Sequence, residues 1–319
     1  VLHQDTQQGR RFTVTATGSG YTKAPKVSFD GDGSGASAIA VLDAAGGVAQ
    51  IVLLKPGTGY TTPPTVTLSG GGGSGATAVA VKNWVTMTAP QADPTRDIHV
   101  TALLVDEHTL DEVQFDLTFS QQGRPFWVWG TGIKPGETTQ DFAKDNYYFS
   151  FTRLAASGTI TIAGTTHEVT GTTWMDHEYG YFGGSSADAR VRWLLQDLQL
   201  DNGYSISNAG ILTVGYKPEI DVPVDAYATV QDAEGNLYYV ASTITPVGEL
   251  WTSPATGNVY AQQFHVQIPS FQADLTVSVL VQNQEFPIAA SPVYEGVAKP
   301  TGTMLGKPVT GDAWIEQAY

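Results

Sequence analysis

The chain has 319 residues, with 16 basic against 31 acidic side chains, a formal charge of -15 and no cysteine. That balance repels nucleic-acid phosphates and anionic membrane surfaces, and the missing thiols exclude disulfides, thiolate metal centres and cysteine nucleophiles. The length suffices for two or three domains with cores of their own, and the 35 Gly, 17 Pro and 14 Tyr among abundant Val and Thr predict an all-β protein.

No apolar run approaches the roughly 18 to 20 residues that a membrane helix needs. An integral membrane protein is therefore not expected. The opening Val1-Leu2-His3-Gln4-Asp5 is polar, unlike a signal peptide. We expect a soluble chain, exported to the periplasm or beyond after loss of its leader. The absence of cysteine suits a cytoplasmic location equally.

Residues 1–83 contain an internal repeat. Gly18-Ser-Gly-Tyr21-Thr-Lys-Ala-Pro25-Lys-Val27-Ser-Phe29 followed by Gly33-Ser-Gly35-Ala recurs as Gly57-Thr-Gly-Tyr60-Thr-Thr-Pro-Pro64-Thr-Val66-Thr-Leu68 followed by Gly73-Ser-Gly75-Ala. Alternating apolar and small polar residues between Gly/Pro turns predict two short hairpin-like units. Gly70-x-Gly72-x-x-Gly75 matches a dinucleotide fingerprint in form. An alternating Ala-Thr-Ala-Val-Ala-Val run follows it where that motif needs a helix, so a β-strand is expected instead. The segment resembles the Gly-Tyr-x-x-x-Pro repeats of bacterial surface and phage-tail-like proteins, which implies a spacer or adhesion role.

From Trp84 to Ser186, strands are predicted at Trp84–Thr88, Ile98–Val105, Val113–Phe119, Phe126–Trp129, Tyr147–Leu154, Gly158–Ala163 and His167–Met175. Seven short strands at this spacing suggest one barrel or sandwich. The pattern restarts after Gly183-Gly184-Ser185-Ser186. Residues 187–319 then give strands at Arg192–Leu200, Ser205–Val214, Asp225–Gln231, Leu237–Val240, Ala261–Ile268, Leu275–Val281 and Trp314–Tyr319. Two tandem β-barrels, 84–186 and 187–319, behind the repeat segment are the simplest architecture.

The densest cluster of chemistry is Trp174-Met175-Asp176-His177-Glu178-Tyr179-Gly180. On a strand, Trp174, Asp176 and Glu178 share one face, while Met175, His177 and Tyr179 share the other. With its surroundings, Tyr147-Tyr148-Phe149-Ser150-Phe151-Thr152-Arg153-Leu154 and Val169-Thr170-Gly171-Thr172-Thr173, this stretch resembles the signature of the carotenoid 1,2-hydratase / AttH-like double-lipocalin family. Collinear matches follow at Trp193, Asp201-Asn202-Gly203, Trp251 to Tyr260, Tyr294-Glu295-Gly296 and Gly311 to Glu316, so the resemblance runs from about residue 112 to the C-terminus. Departures are Tyr179 where the family shows Trp, Ala261 where a proline usually follows the tyrosine, Gln317-Ala318-Tyr319 in place of a Gly-Tyr ending, and no paired tryptophans opening the first barrel.

The resemblance implies two tandem lipocalin-like barrels that handle an elongated hydrophobic isoprenoid, polyene or polyketide without a cofactor. Relatives include enzymes that hydrate an isolated alkene and fungal proteins that guide Diels-Alder cyclisation; others are binding proteins. Hydration needs a proton donor, and a carboxyl in an apolar hollow keeps its proton near neutral pH. Asp176 is the expected acid, positioned by His177, with Glu178 as its alternate. Trp174, Tyr147, Tyr148, Tyr179 and Trp193 are expected to face the substrate cation.

Arg153 is the natural counter-ion of either carboxylate, and pairing with Asp176 would remove its proton. Trp127 and Trp129, two apart, are expected on one face of a strand lining the pocket. The structural alternative is a hydrogen-bonded clasp between barrels, since a buried charged cluster must be paired whatever its role. With no His-Glu-x-x-His or His-x-His pair, and His177 off the carboxylate face, no metal is expected.

Overall fold

The computed structural model describes residues 3–60, 62–90, 92–105, 111–137, 141, 143–181, 192–286 and 292–318. Among these described residues the regular structure is antiparallel β with two short 3-10 turns. Gly183-Gly184-Ser185-Ser186, where the sequence pattern restarts, lies outside the described residues.

The glycine-rich region supplies β1 (His3–Ser19), β2 (Lys26–Asp30), β3 (Ser34–Leu42), β4 (Val48–Thr58), β5 (Thr65–Ser69) and β6 (Ser74–Ala89). The two repeats do not form separate hairpins as predicted; they interlock. The strand leading into the first repeat, β1, pairs with β6 at the end of the second, and β4, leading into the second, pairs with β3 of the first. The equivalent strands β2 and β5 pair with each other, Ser28 opposite Thr67, and 67 minus 28 is the same 39-residue offset that separates Tyr21 from Tyr60. A local twofold axis therefore passes between Ser28 and Thr67.

With β4 against β1 and β5 against β6, six strands surround a core of Phe12, Tyr21, Ala40, Val48 and Ile51. The physical reason is burial: one hairpin of Ala, Val and Thr has no second layer to cover its apolar face, whereas the interlocked pair does. The glycines of the motif mark the interlock. A Cβ on Gly33 would lie 2.2 Å from the Tyr60 ring, and one on Gly73 would lie 2.6 Å from the Tyr21 ring, so each repeat's tyrosine lies on the other's glycine. The run after Gly75 is strand β6, as its alternation predicts.

Next come β7 (Ile98–Val105), β8 (Glu112–Gln121), β9 (Phe126–Trp127), β10 (Asn146–Ile162) and β11 (Thr165–Gly180). They extend the β1-β6 ladder in the order β1-β6-β7-β8-β10-β11, with β9 on β10. The two strands predicted at Tyr147–Leu154 and Gly158–Ala163 are one long strand, β10. It turns at Ala163-Gly164, both at positive φ, into β11.

This hairpin runs through both compact units of the chain. One unit comprises Val1–Ser120 and Ala155–Thr172; the other comprises Gln121–Leu154 and Thr173–Tyr319.

The second unit is built on β12 (Trp193–Leu200), β13 (Ser205–Ile211), β14 (Val224–Gln231), β15 (Leu237–Ala241), β16 (Thr243–Thr252), β17 (Val259–Ile268), β18 (Ala273–Val279), β19 (Glu285–Phe286), β20 (Val293–Met304) and β21 (Lys307–Ala318). Their order is β15-β14-β13-β12-β21-β20-β18-β17-β16, with β19 on β20. The sheet curls until β16 meets β13 and β14. Inside it lie Leu194, Leu198, Leu200, Ile206, Val230, Phe264, Val266 and Ile315. Strands β16 and β20 escape sequence prediction because Pro246, Gly248, Pro300 and Gly302 interrupt their patterns. The sheet absorbs these by a register shift between Val247 and Leu250 and by backbone that needs no donor at the prolines.

Two of the departures from the family pattern meet inside this barrel. Gln317, fully buried, accepts from the Ala261 backbone N–H through Oε1 at 3.0 Å and donates from Nε2 to the Ala261 carbonyl at 3.0 Å. A proline at 261 has no N–H to give. The Ala261 and Gln317 identities thus form one interaction.

Candidate active site

The near half of the β10–β11 hairpin obeys the alternation read from sequence. One face carries Asn146, Tyr148 and Ser150 of β10 with Trp174, Asp176 and Glu178 of β11. Asp176 Oδ1 accepts from Ser150 Oγ and, at 2.6 Å, from Trp174 Nε1. Glu178 Oε1 accepts from Asn146 Nδ2 at 2.9 Å. The other face is an aromatic stack, Tyr147 on Tyr179 at 5.5 Å and Phe149 on His177 at 5.1 Å. His177 also meets Tyr179 edge-on. It therefore stands behind the strand from Asp176 and does not position it; Ser150 and Trp174 do.

Facing Asp176 is the outward surface of the β12-β21-β20 sheet. In β12, Leu194, Leu198 and Leu200 point into the core, so Trp193 and Asp197 point out. Asp197 is only 4% exposed, yet it lies in side-chain hydrogen-bonding contact with Asp176 and Ser207. Its cross-strand partner is Trp314, and two residues along β21 Glu316 lies directly opposite Glu295 of β20. Trp314 Nε1 donates to Glu295 Oε2 at 2.5 Å. Trp193 hydrogen-bonds Glu316, and Glu316 hydrogen-bonds Glu295. Two carboxyl pairs, Asp176/Asp197 and Glu295/Glu316, thus stand close together among three indoles.

Like charges this close cannot all remain ionised. Burial, then the charge and hydrogen bond of Asp176, pushes the Asp197 carboxyl well above the usual carboxylate range. Burial and the neighbouring Glu295 lift Glu316 to about 7. Burial likewise raises Glu295 and Glu178. Glu178 and Asp176 keep substantial contact with water. Burial beside Asp197 and Asp176 raises the Tyr148 phenol, so it serves as a neutral donor.

Arg153 answers the question the sequence posed. Its guanidinium donates to the carbonyls of Leu200 at 2.7 Å and Tyr204 at 2.8 Å, gripping the β12–β13 turn and not Asp176. Trp127 and Trp129 do not share a strand face as predicted. Strand β9 ends at Trp127 and a 3-10 turn begins, with Trp129 at φ 61, its N–H bonded to Thr229 Oγ1 at 2.8 Å. Trp127 lies edge-on to Phe149 and Trp129 edge-on to Tyr148.

Asp197, Glu295, Glu316, Trp314 and Ser150 escaped the sequence reading as site residues. The signal for two of them was present: Trp314-x-Glu316 repeats the Trp174-x-Asp176 spacing, which on a strand puts indole and carboxyl on one face. Among the described residues no group of three His, Asp or Glu side chains is arranged to hold a metal ion, and no helix is long and apolar enough to cross a membrane.

The AttH-like family model matches residues 66–318. The chain belongs to the AttH-like family. Among solved structures, this AttH-like chain is similar to a Nitrosomonas europaea protein assigned as AttH, with TM-score 0.57 and 16% identity over 97% of this chain and 92% of that one. It is similar to kievitone hydratase from Nectria haematococca to the same degree, TM-score 0.57 and 16% identity, over 98% and 89% of the two chains. At such identities the likeness is one of fold, the double-lipocalin arrangement. No curated protein matches the sequence.

Proposed function

We propose that this AttH-like protein is a hydratase that protonates an isolated alkene of an elongated apolar molecule, of isoprenoid or polyene type, and adds water to the cation. The observation that carries this is the Asp176/Asp197 pair. Asp197, buried beside Asp176, stores a proton at neutral pH. Asp176, in contact with water and steadied by Ser150 and Trp174, delivers it. The two residues thus divide storage from delivery, a general-acid arrangement suited to pH near 7. The fold it shares with kievitone hydratase supports the reading.

In the reaction the Asp176 O–H bond breaks as the alkene π electrons take the proton into a new C–H bond. Water then adds to the cationic carbon and loses one proton to the site. Trp174, Trp193 and Trp314 offer ring faces to that cation. Asp197 supplies that proton to Asp176, and the proton released by the added water returns to the pair for the next turnover.

The test is product analysis in deuterated water for wild type and Asp176→Asn. Wild type is expected to place deuterium at the protonated carbon, and Asp176→Asn to lose turnover by about 10²-fold or more while unfolding normally. Product without solvent deuterium would identify a pericyclase, and unchanged turnover in Asp176→Asn would remove the pair from the mechanism.

A further inference from the structure

Beyond the acid pair, we propose that the Glu295/Glu316 pair is a cation-stabilising wall, which faces positive charge at this site and confers affinity for amphiphiles with a cationic head. This rests on the proposed hydration for its catalytic meaning, but its binding consequence stands alone. The geometry is specific. Glu295 and Glu316 are directly opposed across the β20–β21 ladder, where two glutamates ordinarily repel. Both are retained on the outward face, each engaged by an indole, Trp314 for Glu295 and Trp193 for Glu316.

An independent observation points to a missing guest. Asp197 on the same face, 4% exposed, has an oxygen, Oδ1, buried with no partner. A buried carboxyl oxygen left unpaired costs roughly 1 to 3 kcal/mol, so such atoms mark where a ligand or water belongs. The groups that face Glu316 are Glu295 from β20, Trp193 and Asp197 from β12, and Asp176 and Glu178 from β11. A cation placed among carboxyls and indole faces would be held by both kinds of group.

During hydration the charge balance closes at this wall. The acid pair gives up its stored proton and gains one negative charge as the carbon becomes cationic. The added water then releases one proton, and a Glu316 carboxylate beside the cation accepts it. Return of that proton to the Asp176/Asp197 pair completes the cycle with one water consumed.

The experiment uses dodecyltrimethylammonium, whose charge does not change with pH, and dodecan-1-ol as its neutral counterpart. Both are titrated calorimetrically, below micelle formation and at constant ionic strength, into wild type, Glu316→Gln and Asp176→Asn at pH 5.5 and 8.5. The cationic probe is expected to bind wild type about tenfold more tightly at pH 8.5, one ionised carboxylate being worth about one pKa unit of interaction. The two pH values bracket the raised position of the Glu316 carboxyl. Dodecan-1-ol should show no such gain.

Glu316→Gln should lose the gain and keep its dodecan-1-ol affinity; Asp176→Asn should keep the gain. Affinity for the cationic probe that is independent of pH, or a gain undiminished in Glu316→Gln, overturns the wall, as does failure of both probes to bind. Loss of the gain in Glu316→Gln alongside full turnover in Asp176→Asn would sustain the wall and refute the hydratase reading.

Discussion

Glu316→Gln also makes a stability prediction that can be worked from the structure. In the unfolded chain a glutamate titrates near 4.3, whereas in the folded protein Glu316 is lifted to about 7. Between those values the folded state binds a proton that the unfolded state has lost. Stability therefore falls as pH rises from about 4.3 to about 7 and is level on either side. The difference of about 2.7 pH units corresponds to at most roughly 4 kcal/mol of destabilisation at pH 8, which relaxation and entering water reduce to on the order of 3.

Glutamine is neutral throughout and keeps an oxygen for Trp193, so the variant escapes this loss. Urea unfolding at pH 4, 6 and 8 is the assay. The variant is expected to match wild type within about 1 kcal/mol at pH 4 and to exceed it by on the order of 3 kcal/mol at pH 8. A variant less stable than wild type at pH 8, or a difference that does not vary with pH, would refute the reasoning.

Arg153→Ala should cost on the order of 2 to 3 kcal/mol, read as a lowered Tm, because two carbonyls of the β12–β13 turn lose a charged donor. Gln317→Ala should cost roughly 1 to 2 kcal/mol by leaving the Ala261 N–H without its Gln317 acceptor in the barrel interior, while Gln262 Nε2 still reaches the Ala261 carbonyl at 3.2 Å. Combined with Ala261→Pro, it should be less than additive in a double-mutant cycle of unfolding free energies, since both changes break the same Ala261–Gln317 contact. Gly33→Ala and Gly73→Ala should destabilise the N-terminal barrel to a similar degree, each pressing a Cβ into the tyrosine of the opposite repeat; hydrogen exchange in β3 and β6 would show it, and a loss in only one variant would argue against the twofold interlock.

Much of the fold was legible because strands advertise themselves by alternation and by turn residues. Ile98–Val105 stands where the sequence puts it. Strands β16 and β20 were not legible, because proline and glycine within a strand read locally as turns. Local pattern also divided the chain into contiguous segments, whereas the long β10–β11 hairpin passes through both compact units.

For the site, period-two alternation by itself determined that Asp176 and Glu178 share a face with Trp174 and that His177 and Tyr179 lie behind them. It could not name what stands across from that face. Asp197, Glu295 and Glu316 lie between 21 and 140 residues further along the chain, and only the curl of the β12-β21-β20 sheet brings them to Asp176. The same holds for Arg153: its charge suggested a carboxylate partner, but the nearest acceptors in the folded chain are two turn carbonyls. Sequence fixes which residues travel together on a strand because that periodicity is set by the backbone. Which faces meet, and therefore which carboxyl keeps its proton, depends on burial and neighbouring charge, which only tertiary structure creates.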